Sequence, residues 1–91
     1  MSTPEEILAF WLDEVGPDGW YEADDALDQK FRDRFMETWV RATEGALSLW
    51  MTYPSGALAY LILTDQFPRN MFRGEAKAFS TDHIALAVSK I

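Results

Sequence analysis

The sequence predicts an all-α fold of antiparallel helical hairpins, with about four main helices. Three observations carry this. Apolar residues recur three and four positions apart through most of the chain, capping and stop residues bracket each run, and nothing alternates with period two for long enough to make a strand. Short connections between the helices favour antiparallel neighbours. The first helix is expected over Pro4 to Val15. Thr3 is its N-cap, Pro4 takes the first helical position, and Glu6 closes a capping box while Glu5 and Glu6 meet the positive end of the dipole. Ile7, Leu8, Trp11, Leu12 and Val15 form its apolar side, and Gly16-Pro17-Asp18-Gly19 stops it.

After a connector from Trp20 to Ala23, Asp24 or Asp25 caps a second helix. Its apolar positions Leu27, Phe31, Phe35, Thr38/Trp39 and Ala42 keep an i, i+4 beat, with Lys30, Arg32, Asp33, Arg34, Glu37 and Arg41 on the other faces. This helix should end near Glu44, with Gly45 as a left-handed cap. Ala46 to Met51 is expected to be a short helical turn. Pro54 restarts the chain into a third helix carrying Leu58, Leu61, Ile62 and Asp65, which Pro68 must end because proline lacks an N–H and restricts Phe67 before it. Ser80 caps a fourth helix, with Asp82 in its first turn and Ile84, Leu86, Val88 and Ile91 on its apolar side.

With 91 residues, 48% hydrophobic and 25% charged, the chain is expected to form one globular domain over residues 1–91 with a small core. It has no cysteine, so packing alone must stabilise it, and a reducing cytoplasm suits it. MSTPEEI has neither the basic start nor the apolar run of a signal peptide. The longest apolar run, Ala57 to Leu63, is seven residues, far below the roughly 20 needed to cross a bilayer. Net charge is −7, and it is uneven: residues 1–45 hold 12 acidic and 4 basic side chains, residues 46–91 only 3 and 4. An acidic surface repels phosphate backbones and anionic lipid, so neither nucleic acid nor membrane is an expected partner.

The most informative segment is LTDQFPRNMFRG, residues 63–74, where Asp65, Gln66, Arg69, Asn70 and Arg73 alternate with Phe67, Met71 and Phe72. Leu63, Asp65, Gln66, Phe67, Pro68, Arg69, Asn70, Phe72, Arg73 and Gly74, followed by Ala78, Phe79 and Asp82, resemble the central signature of the DUF924 family of bacterial proteins of unknown function. Ile7, Leu8, Phe10, Trp11, Trp20, Tyr21, Trp50, Pro54 and Leu58 extend the resemblance over nearly the whole chain. It implies a tetratricopeptide-like helical fold and carries no chemistry of its own. It also implies further helices beyond the span seen here, as if the chain were the N-terminal half of a family member. An uncovered helical face would then favour self-association, by pairing of fourth helices, or binding of a protein or peptide.

Two readings compete for the polar segment. In the structural one, Arg69 and Arg73 pair with Asp65 and Asp82, Asn70 bonds turn carbonyls, and Phe67, Met71 and Phe72 fill the gap between the third and fourth helices. Asp65 sits where the helix dipole disfavours a carboxylate, which calls for a cationic or N–H partner. In the functional one, Arg69, Asn70 and Arg73 with Gln66, Asp65 and Asp82 bind a carboxylate or phosphate, since arginine's planar fork holds an oxyanion bidentately.

No catalytic residue is assigned. His83 adjoins Asp82, but neighbours in a helix do not face each other, and the parts of a nucleophilic triad are missing. Asp24, Asp25 and Asp28 lack the spacing of a calcium loop and read as capping plus a solvated acidic face, so no metal is expected. No glycine-rich phosphate loop supports a cofactor. Trp11 and Trp39 fit the core, while Trp20 and Tyr21 suit the border of a groove. The expected role is therefore a cytoplasmic helical binding or scaffolding module rather than an enzyme, with an anion-recognising enzyme or small-molecule binder as the rival.

Overall fold

The computed structural model describes residues 2–19 and 25–89, and within them the chain is helical with no strand. The capping box forms as expected. The Thr3 side chain accepts from the Glu6 N–H at 3.2 Å, and the Glu6 carboxylate accepts from Thr3. Helix α1 runs over Pro4–Ala9 and then widens into a π-helical turn, Phe10–Val15, where an unbroken α-helix was expected. The widened turn points both Phe10 and Trp11 inward. Gly16 takes a left-handed φ of 70°, and Gly16–Gly19 then forms a short helical turn, α2, rather than a plain stop. The expected connector Trp20 to Ala23, with Tyr21, and the alternative cap Asp24 lie outside the described residues.

Helix α3, Asp25–Thr43, buries Asp28, Phe31, Phe35, Thr38, Trp39 and Ala42, a stripe spaced three or four residues apart. Gly45, at φ 77°, turns the chain away as a left-handed cap. A 3₁₀ turn, Ser48–Thr52, leads into α4, Pro54–Asp65. Ser2 ties the N-terminus to α3: its N–H donates to the Thr38 hydroxyl at 2.9 Å, and its own hydroxyl donates to the Arg34 carbonyl.

Pro68 does not simply end the third helix. Helix α4 stops at Asp65, Gln66 stays in the right-handed helical region, and Phe67–Met71 form a further short helix, α5. Proline in a first turn has no N–H to lose, so Pro68 starts α5 rather than leaving a loop. After a 3₁₀ turn at Ala76–Phe79, α6 spans Asp82–Ser89. Ser80 is not its cap, because the Ser80 hydroxyl bonds back to the Lys77 carbonyl; the Thr81 carbonyl instead accepts from Ile84 and Ala85.

Helix α4 lies between α1 and α6, and α3 packs against α4 and α5 from the other side of the core. The centre is aromatic. Phe67 meets Phe31 at 4.8 Å, Phe35 at 5.0 Å, Trp11 at 5.9 Å and Phe10 at 6.1 Å between centroids, mostly edge to face or tilted. Phe67 thus plugs the junction of the π turn and α3 rather than the expected gap before the last helix. Phe72 packs on Trp39. Burial of the Tyr60 hydroxyl, whose nearest partner is the Ala42 carbonyl at 3.4 Å, raises its pKa above 10.0. The radius of gyration, 12.1 Å, equals that of an ordinary compact chain of this length, about 12 Å.

Candidate functional site

A helix leaves its last carbonyls without partners, and α4 ends in the middle of the polar segment. The segment and Thr81, just before α6, supply what is missing. The Gln66 N–H donates to the Ile62 carbonyl at 2.9 Å, the Thr81 hydroxyl donates to the Thr64 carbonyl at 2.7 Å, and the Arg69 guanidinium donates to the Asp65 carbonyl. Thr81 also accepts from the Trp39 indole N–H at 3.2 Å, so one buried hydroxyl joins α3, α4 and the start of α6. Arg69 then reaches both expected carboxylates, Asp65 at 3.5 Å and Asp82 at 3.3 Å. Its guanidinium stacks on Phe79 at 5.1 Å.

Arg73 and Asn70 depart from expectation. Arg73 forks onto Asp28, Nε to Oδ2 at 2.8 Å and Nη2 to Oδ1 at 3.1 Å, and Asn70 donates its amide to the same carboxylate at 3.0 Å. Neither Asp65 nor Asp82 is the carboxylate that Arg73 grips, and Asn70 bonds a side chain rather than turn carbonyls. The reason lies in phase: Asp28 stands on the buried stripe of α3, so the fork from α5 meets it across the core. At 3% exposure Asp28 is not part of a solvated acidic face. The Asp28 hydrogen bond raises the Arg73 pKa, which keeps the guanidinium charged at every ordinary pH. Arg32 adds a bond from α3 to the Met71 carbonyl at 3.1 Å.

The sequence therefore grouped Asp65, Arg69 and Asp82 correctly and separated Arg73 and Asn70 from their true partner. Gln66 joins the first cluster, its side-chain amide donating to Asp65 Oδ2 at 2.5 Å. His83 is exposed. Among the described residues no group of three His, Cys, Asp or Glu side chains could hold a metal ion.

Three grooves surround this segment. One, of about 570 Å³, is lined by Arg69, Arg73, Gly74 and Phe79 among others. The other two share Leu61 and Asp65 as a common wall. Trp11, Leu12, Leu58, Ile62 and Gln66 line the first of them, and Asp82, Ala85 and Leu86 the second. Side by side they make a two-lobed, largely apolar furrow over α4, edged by the π turn and α6. No helix among the described residues is long and apolar enough to cross a membrane.

The family model described as "Bacterial protein of unknown function (DUF924)" matches residues 7–91. The solved structure of a protein of unknown function, ATU0120 from Agrobacterium tumefaciens, is similar at a TM-score of 0.90 and 38% identity, over 96% of this chain and 49% of that one. The chain thus spans about half the length of that protein. No curated protein matches it.

Proposed function

The chain belongs to the DUF924 family, and from that premise we propose that it is a helical scaffold that binds protein segments along the outer face of α4. The observation that carries this reading is the composition of that helix. Ala57 to Leu63 is apolar through almost two full turns, so apolar residues point away from the core as well as into it, a pattern typical of a helix covered on all sides. Leu12, Leu58 and Leu86 stand 50%, 48% and 58% exposed along the furrow. Stacked helical pairs of the tetratricopeptide kind present such faces to peptides, and this analogy of fold supports the reading further. A reducing cytoplasm suits a chain without cysteine.

The test is a pair of exposed substitutions, Leu58→Glu and Leu86→Glu, read by thermal unfolding and by fluorescence of an apolar dye. A docking face gives stability within about 0.5 kcal/mol of the parent and a loss of dye binding. A fall of more than about 2 kcal/mol would assign these leucines to the chain's own core and overturn the reading.

A second reading, oxyanion binding by Arg69, Asn70 and Arg73, is favoured by one observation: both arginines line the same groove, with Phe79 beside them. Charge weighs against it. Arg69 already faces two carboxylates and Arg73 a third, and Glu75 lines the groove, so an arriving anion meets no net positive field.

A further inference from the structure

We infer that the furrow over α4 takes a basic amphipathic helix, supplied in trans, whose cation sits beside the acidic pair Asp65 and Asp82 that Arg69 bridges. This rests on the docking reading above and names the chemistry of the partner. The furrow has two lobes, of about 330 and 450 Å³, that adjoin along Leu61 and Asp65. Its length follows α4 from Leu58 to Asp65, about 10 Å, or two turns of a partner helix. Apolar residues at i, i+3 or i+4, and i+7 on that helix would meet Leu12, Leu58, Leu61 and Leu86.

Charge selects among apolar helices. Among the described residues, the ionisable side chains on the furrow's walls are Asp65 and Asp82, both partly exposed. They share the single guanidinium of Arg69, at 3.5 and 3.3 Å. One negative charge is left over in an apolar setting, where a lysine or arginine of the partner gains more than it would in open water. The same excess disfavours a second copy of this chain: a two-fold pairing sets the patch against itself, acid against acid, in a molecule of net charge −7. The π turn adds an independent pointer. Such turns are rare and recur at functional sites, and this one carries Trp11 and Leu12 into the furrow wall.

The experiment uses two synthetic helical peptides of about 15 residues, alike in their leucine stripe and differing in one position, lysine or glutamate, placed one turn beyond the stripe. Titration calorimetry against the purified chain should show the lysine peptide binding about tenfold more tightly. Asp82→Asn, which leaves one carboxylate against the one guanidinium, should bring the two peptides within about twofold of each other, and Leu58→Glu should abolish both interactions, circular dichroism showing each variant folded. Equal binding of both peptides by the parent chain would overturn the basic-partner inference while leaving the docking face intact. Binding of neither would overturn this inference, whereas the dye and stability measurements judge the docking face separately. A dimer in sedimentation that Leu86→Glu dissociates would overturn it too, by giving the furrow to a second copy.

Discussion

At the scale of single residues, the two arginines of the polar segment look alike in sequence and differ in consequence. Arg73 grips a carboxylate that is 3% exposed, so Arg73→Ala leaves Asp28 buried with one amide for company. That should cost about 3 kcal/mol, a fall in Tm of more than about 10 °C for a chain of this size. Arg69 pairs with two partly exposed carboxylates, and such pairs contribute about 1 kcal/mol or less. Thermal melts of the two variants, expected in that order, check the assignment; equal losses would contradict it. The Asp65 and Arg69 pairing was legible because a carboxylate at a helix C-terminus demands a cation. Asp28 was legible too, in principle. It lies three, seven and eleven residues before Phe31, Phe35 and Trp39, on the buried stripe, and a charge in that phase signals a buried partner; its neighbours Asp24 and Asp25 drew the reading toward a solvated acidic face instead.

At the scale of elements, local signals gave a helix boundary faithfully only where the boundary was made by local bonds. The Thr3 capping box and the Gly45 cap were local, and both formed. Pro68 is ambiguous in sequence, because the same missing N–H that ends one helix opens the next. The choice of Thr81 over Ser80 depends on the Trp39 indole and the Thr64 carbonyl, which no local pattern reveals. Gly56 shows a tertiary contact deciding against propensity. In a free helix, Gly→Ala gains up to about 1 kcal/mol. Here a Cβ would strike the Trp50 carbonyl oxygen and come within 2.8 Å of the Tyr53 ring. The backbone of the 3₁₀ turn cannot yield cheaply, so Gly56→Ala should lose about 1–3 kcal/mol. Chemical denaturation of that variant measures the sign directly, and a stabilised protein would mean that the turn moves away freely.

For the whole molecule, cohesion converges on Phe67. The ring is fully buried and touches aromatic residues from the π turn and α3, while its backbone opens α5 beside the end of α4. One side chain therefore holds the polar segment to the core, which is why Phe67 is set among polar residues in the sequence. The sequence marked Phe67 as buried, but its true neighbours are 32 to 57 positions away, beyond any periodicity. Phe67→Ala removes a large buried ring, at about 3–5 kcal/mol, and with it aromatic contacts of about 1 kcal/mol each. A chain of this length has only about 5–14 kcal/mol of stability in total. The expected outcome is a protein near its unfolding threshold at 37 °C, with α1 and α5 losing amide protection together. Hydrogen exchange distinguishes this from local fraying: loss confined to residues 66–74 would show that the segment is held by its polar bonds, with Phe67 only one filler among several.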